Sequence, residues 1–182
     1  MALRPVLQFP DPLLKRRSEP VGEITDEIHE LASDMIDVMY DEPGIGLAAP
    51  QVGESLRLVV MDTAWTEEGA SRDARVIVNP EILEREGSLT WTEGCLSVPD
   101  FQAEVERAAR IRVRYTDLEG KEIVEDCEEL RAVCFQHEID HLDGILFIDR
   151  ISRLKRSLYV KKRKKALRSG EVEGEAQGGQ VL

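Results

Sequence analysis

The sequence predicts a single α+β domain: mainly antiparallel strands around a central helix carrying an H-E-x-x-H pattern, plus a helix near the C-terminus. Three observations predict it. Apolar residues recur at helical spacing in two segments far apart in the chain, near 26–41 and 127–141. The strand-like runs between them do not alternate with helices, which argues against a doubly wound parallel sheet. One of those runs, RIRVRYTDLEGKEIVED (110–126), alternates in polarity and turns at Asp117–Gly120, as an antiparallel hairpin does. At 182 residues and 42% hydrophobic composition, the chain is long enough for one domain with a real core.

Each element has its own local signal. Thr25 is placed to cap the first helix, DEIHELASDMIDVMYD, and Asp26 and Glu27 sit in the first turn, where the helix dipole favours acids. Ile28, Leu31, Met35, Val38 and Met39 form its apolar stripe; His29 falls outside the stripe, beside Glu30, and reads as a surface residue. Pro43 and Gly44 end the helix. GIGLAA (44–49) then fits G-x-G-x-x-A, a pattern that holds a dinucleotide only between a strand and a helix. Here a helix precedes it, and Pro50 and Gly53 spoil a helix after it. It reads better as an extended loop whose small residues let another backbone come close, such as a peptide added as a strand.

LRLVVMD (56–62), ARVIVNPEIL (74–83) and SLTWTEGCLSV (88–98) read as strands, and TEEGASRD (66–73) as an exposed loop. The second long helix is expected from about Cys127 to His141, with Leu130, Val133, Cys134, His137 and His141 on one side. ILFIDRIS leads into a basic helix, and SGEVEGEAQGGQ, rich in Gly and Glu, reads as disordered. No internal repeat is present.

Composition narrows the setting. No apolar run approaches the ~20 residues of a membrane span, and prolines interrupt the N-terminal MALRPVLQFPDP, so a cytoplasmic address is expected. Three cysteines, Cys95, Cys127 and Cys134, fit a reducing compartment better than a disulfide framework and leave a thiolate free to bind metal. Net charge is −12, unevenly spread: Arg150 to Arg168 holds ten of the 24 basic residues and no acid. That block can meet nucleic acid or lie against the chain's own acidic body.

The chemistry is concentrated in FQHEIDHLDG (135–144). His137 and His141 are four apart, so on a helix their imidazoles share one face and can fill two corners of a coordination sphere. Glu138 points about 100° away from His137 and suits a proton acceptor beside the ion better than a ligand. The third ligand decides the class of chemistry. No histidine lies beyond His141, which excludes the H-E-x-x-H-x-x-G-x-x-H arrangement. Asp143, Asp149 and the tail glutamates remain as alternatives, and Cys134 competes from the same helix, although one rigid helix cannot easily converge three ligands. Cys95, in EGCLS (93–97) at the end of a strand, is the better candidate.

GIGLAAPQVG, EGCLS and QHEIDHLDG, in that order, resemble the three signature motifs of peptide deformylases, with matching spacing to about residue 165. The resemblance implies a catalytic domain over residues 1–168, then an acidic tail over 169–182. It implies removal of the formyl group from N-terminal formylmethionine of nascent peptides, with release of formate, by a metal-bound hydroxide. Cys95, His137 and His141 are then the metal ligands and Glu138 the general base and later acid. Gln51 and the Leu96 N–H would hold the oxyanion, although Gln51 taken alone reads as a loop amide bonding its own backbone. One divalent metal is implied, Fe2+ natively, with Zn2+ or Ni2+ possible in preparations.

By the same resemblance Leu130, Val133, Cys134 and His137 line a methionine slot, with Ile45 and Trp91 as walls. At helical spacing Leu130, Val133 and Cys134 also fit an ordinary core. Gly46 and Gly94 would offer backbone hydrogen bonds to the peptide, Arg107 would be structural, and Gln136 would help orient the ligands. The basic helix would reach the ribosome near the peptide exit through phosphate contacts, and a monomer with no membrane contact is expected. Two alternatives compete: a metallopeptidase of other specificity, and a ribosome- or RNA-binding module with a structural metal.

Overall fold

The computed structural model describes residues 3–42, 44–65, 71–170 and 182. Its elements run α1 (Asp26–Asp41), β1 (Gly46–Ala48), β2 (Leu58–Met61), β3 (Arg75–Glu86), β4 (Leu89–Cys95), β5 (Val98–Arg107), β6 (Arg110–Thr116), β7 (Glu122–Glu128), α2 (Glu129–Leu142) and α3 (Arg153–Ser169). A five-stranded sheet has the order β1-β2-β3-β6-β7, and β4 and β5 form a separate two-stranded sheet. All these ladders are antiparallel, as the α+β expectation requires.

The large sheet lies between α1 and α2, and β2 shows why. Its LVVM run is apolar at every position because both faces are covered. Leu58 and Val60 pack with Leu47, Met35 and Met39 on the α1 side. Val59 and Met61 pack with Ala48, Val133 and Phe135 on the α2 side. β6 and β7 form the expected hairpin: Asp117 Oδ1 accepts from the backbone N–H groups of Glu119 and Lys121, and Gly120 takes a φ of 80°. A third cluster joins the β4–β5 hairpin to Phe9, Leu14, Phe147 and Tyr159.

Several boundaries differ from the sequence reading. The run 88–98 is not one strand. It folds back at Leu96 and Ser97, so Cys95 pairs with Val98 and a full strand, β5, comes next. That strand is hard to see in sequence because Asp100, Gln102, Glu104 and Glu106 occupy alternate positions. β7 continues through Glu128, and α2 starts at Glu129, whose φ of 50° makes the change of direction without a loop. Thr25 is the N-cap residue of α1, but its side chain makes no capping hydrogen bond. Pro43, residues 66–70 of the expected loop, and 171–181 of the expected tail lie outside the described residues.

α3 is capped by Ser152, whose Oγ accepts from the Lys155 N–H. It is not solvated all round. Tyr159 and Arg163 are buried, and Arg163 donates to the Phe9 carbonyl at 3.1 Å and to Gln8 Oε1 at 2.7 Å. Lys161, Lys162, Lys164, Lys165 and Arg168 face solvent. No helix among the described residues is long and apolar enough to cross a membrane.

Candidate metal centre

α2 presents the two histidines as its spacing requires: the His137 and His141 rings lie 5.0 Å apart at 70°. The β4–β5 turn brings Cys95 to them from another part of the chain, with its sulfur 3.2 Å from His141 Nε2. Ligand atoms of Cys95, His137 and His141 all lie within 4.8 Å of one another. Tetrahedral binding with metal–sulfur near 2.3 Å and metal–nitrogen near 2.05 Å puts S···N at about 3.5 Å, so a zinc- or iron-sized cation fits the spacing. A soft thiolate with two imidazoles suits either metal.

The hydrogen bonds around the three residues favour the same reading. His137 Nδ1 is 2.9 Å from Glu93 Oε2, which leaves Nε2 buried and without a partner. A carboxylate on Nδ1 fixes the tautomer whose Nε2 lone pair is free for an ion. Glu93 is itself held by Arg107, whose Nε and Nη2 donate to its two oxygens at 2.7 and 2.9 Å. Arg107 Nη1 reaches Asp140 at 2.6 Å, and Asp140 also accepts from Arg150. The structural role expected for Arg107 is therefore a buried ion-pair chain that ends on a histidine.

The charges are set by these partners. Burial works against the Glu93 carboxylate, but Arg107 and His137 hold it down at about 2. Burial also opposes charge on His137, and the Cys95 sulfur and Glu93 outweigh it and raise the imidazole well above the ordinary histidine value. The same negative surroundings attract a cation. Burial, with His137 alongside, holds His141 well below that value. Glu138 lies next to this group, buried, with neither oxygen hydrogen-bonded. Desolvation pushes its carboxyl up to about 7, where it can both take and return a proton near neutrality.

Gln51 is buried in the 3-10 turn Ala49–Val52. Its Oε1 accepts from the Ala48 N–H at 2.8 Å, which directs Nε2 at Ser97 Oγ (3.2 Å) and the Cys95 sulfur (3.7 Å). The loop-amide reading of Gln51 is therefore met by its Oε1, and the other end of the same amide stands beside Cys95. Leu96 is the next residue after Cys95 in the turn. Gly46 lies against Glu138: a Cβ there would stand 2.5 Å from Oε1. Gly94 lies less tightly against Gln102, whose Cγ would be 3.3 Å from a Cβ there. Ile45, Val133 and Cys134 are buried in one cluster, with Trp91 and Leu130 packed against it.

The other ligand candidates among the described residues have partners elsewhere, and the tail glutamates lie outside those residues. Asp143 pairs with Arg57, Asp149 pairs with Lys15 and accepts from the Leu146 N–H, and the Cys134 thiol points at the Ile45 carbonyl. Gln136 does not orient a ligand. Its amide is clamped to Ala108 N–H and C=O and to Ala132 C=O, so it fastens α2 to the β5–β6 connection. The orienting group is Glu93, which sequence reasoning passed over although it stands inside EGCLS. Apart from its place inside that motif, nothing in the sequence marked it, because its partner Arg107 lies at the end of a strand the sequence does not reveal.

The family model for Polypeptide deformylase matches residues 3–157. The chain belongs to the peptide deformylase family. It is 52% identical over 181 residues to a peptide deformylase of Alkalilimnicola ehrlichii, covering all of both chains. It is 55% identical over 168 residues to one of Hyphomonas neptunium, covering 91% of this chain and 94% of the other. A crystal structure of a peptide deformylase from Legionella pneumophila superposes with a TM-score of 0.85 at 42% identity, covering 95% of this chain and 100% of that one. One from Ehrlichia chaffeensis in complex with actinonin gives 0.85 at 36% identity, covering 92% and 99%.

Proposed function

We propose that this deformylase hydrolyses the formamide of N-formylmethionyl peptides to formate and a free methionine amine, with Cys95, His137 and His141 holding one divalent metal. The observation that carries it is the convergence of a thiol and two imidazoles beside a buried, unpartnered carboxylate, Glu138. When bound, the ion supplies Lewis-acid polarisation and lowers the pKa of water. Glu138 takes the proton from the attacking water and returns it to the departing nitrogen. The Gln51 amide and the Leu96 N–H donate to the formyl oxygen as charge builds; losing one such donor costs roughly 3–4 kcal/mol. Glu93 holds the His137 ring and its tautomer throughout.

The substrate fits what surrounds these groups. β1 is an edge strand of the large sheet, so one side of Gly46–Ala48 can pair with a peptide laid alongside. Gly46 and Gly94 bring backbone close to that peptide. Ile45, Trp91, Leu130, Val133 and Cys134 receive the methionine side chain. We assign Fe2+ as the native ion, with Zn2+ or Ni2+ able to replace it, and the cytoplasm as the place of action of a monomer. The compound bound to the Ehrlichia chaffeensis relative, actinonin, is expected to bind here too.

The exposed lysines of α3 support a second contact, with ribosomal RNA phosphates near the peptide exit. Deleting residues after Ser152 should abolish low-salt co-sedimentation with ribosomes; unchanged co-sedimentation removes that part. The primary test is formate release from formyl-Met-Ala against acetyl-Met-Ala by anaerobically purified protein with its metal measured. Turnover of only the formylated peptide is expected; equal cleavage of both, or cleavage of an internal bond, makes the protein a peptidase of other specificity.

A further inference from the structure

Leu96 and Ser97 make the turn after Cys95, and Ser97 is fully buried although its side chain is polar. Its Oγ accepts from Gln51 Nε2 at 3.2 Å. We propose that Ser97 is a positioning residue: its hydroxyl fixes the plane of the Gln51 amide so that one N–H stays aimed at the formyl oxygen. This rests on the function proposed above.

Ala48 decides which end of the amide is which. A backbone N–H only donates, so the atom 2.8 Å from it is the oxygen, Oε1. Nε2 therefore stands at the other end, with two hydrogens to place. One goes to Ser97 Oγ. The other is left on the side of the Cys95 sulfur, a weak acceptor 3.7 Å away, and is the one available to a substrate oxygen. The Ala48 bond alone is a pivot, because the last torsion of a glutamine is broad. A second bond at the far end of the planar group stops the rotation.

The turn does not depend on this hydroxyl for its shape. Phe9 N–H donates to the Ser97 carbonyl at 2.8 Å, and Leu7 N–H donates to the Gln51 carbonyl at 2.7 Å. Two residues of one segment thus fasten the backbones of both partners, and Cys95 pairs with Val98 across the turn. Gln51 is 1% exposed and Ser97 0%, so water does not stand in for either group. A buried amide that lost this acceptor would keep an unmet N–H and a freer plane.

The test is a double-mutant cycle at matched metal content: native chain, Ser97→Ala, Gln51→Ala and both together, with formyl-Met-Ala as substrate. Losing an oxyanion donor outright lowers kcat roughly 100- to 1,000-fold, which sets the scale for Gln51→Ala. Ser97→Ala keeps the donor but frees it. It should lower kcat at least about fivefold, short of the roughly 100-fold for a misplacement of about 1 Å. KM should stay near native, as for a contact made mainly in the transition state. In the Gln51→Ala background the same change should alter kcat less than about twofold, since no amide is left to hold. A smaller fall in Ser97→Ala, or the same fall in both backgrounds, overturns the proposal and leaves the deformylase function standing. Loss of the fold in Ser97→Ala would make the hydroxyl structural and overturns it equally. A readout independent of turnover is hydrogen exchange of the Gln51 side-chain amide by NMR. Ser97→Ala should exchange at least about fivefold faster than the native chain, the weight of one hydrogen bond. Equal exchange refutes the hold on the amide even if no formylated peptide is hydrolysed; faster exchange supports it in the same case.

Discussion

Replacing Gly46 with alanine should disable the enzyme without unfolding it. An ideal Cβ at residue 46 stands 2.5 Å from Glu138 Oε1 and 3.0 Å from both Glu138 Cδ and the Cys134 sulfur, against an ordinary contact of 3.4 Å or more. The Glu138 carboxylate must therefore retreat by about 0.9 Å at Oε1. It is the end of a side chain held by no hydrogen bond, so the retreat is cheap for the fold. Overpacking of this size costs about 1 kcal/mol, or roughly 2–4 °C of melting temperature in a domain this large. Chemistry is less forgiving: displacing a reacting group by about 1 Å lowers the rate around 100-fold. Gly46→Ala keeps the backbone N–H and C=O, so peptide pairing along β1 survives and KM should stay near native. The assay is formate release from formyl-Met-Ala at matched metal content, beside a melting curve. A kcat within threefold of native would refute the reasoning, because Glu138 would then tolerate a position it should not.

Further expectations rest on other residues. Arg107→Met strips the bidentate partner from the buried Glu93, a loss of about 3–5 kcal/mol for a broken buried pair. The His137 ring should also loosen, with metal affinity falling roughly 10–100-fold by chelator competition. Native affinity in this variant would show that Glu93 does not orient the ring. Cys95→Ala should keep no stoichiometric ion after dialysis, measured by elemental analysis; full retention would place the ligand set elsewhere. The Asp62 carboxylate is opposed by burial, but the Tyr40 hydroxyl and the N–H groups of Asp73, Ala64 and Trp65 hold it below its usual 3.8. Its contribution is therefore complete above pH 3.8 and fades as pH falls through its lower folded value. In urea titrations Asp62→Asn should be the less stable chain at pH 6, with the gap closing below about pH 3.8; a gap independent of pH would contradict this.

The histidine pair was legible because four residues on a helix fix a face, whatever the rest of the fold does. Cys95 was legible as a ligand candidate from its thiol and its place at a strand end, but not as a neighbour of His141. That contact depends on the chain reversing at Leu96 and Ser97, and the strand after the turn is masked by alternating acids and Gln102. The ion-pair chain from Arg150 through Asp140 and Arg107 to Glu93 was not legible for a related reason. Charges so far apart in sequence give no sign of meeting until β5 and α2 are packed. Gln136 misled because its position beside His137 suggests a ligand partner, whereas successive helical side chains diverge by about 100° and its amide meets Ala108 instead.

The most direct test of a metal-assisted hydrolysis with Glu138 as proton carrier is a single preparation of Glu138→Gln, assayed anaerobically for bound metal and for formate release. One ion per chain, with kcat lower by about 100- to 10,000-fold, is expected from the loss of a general base alone. Turnover within tenfold of native at full metal content would contradict it, since the proton would then be moved by some other group.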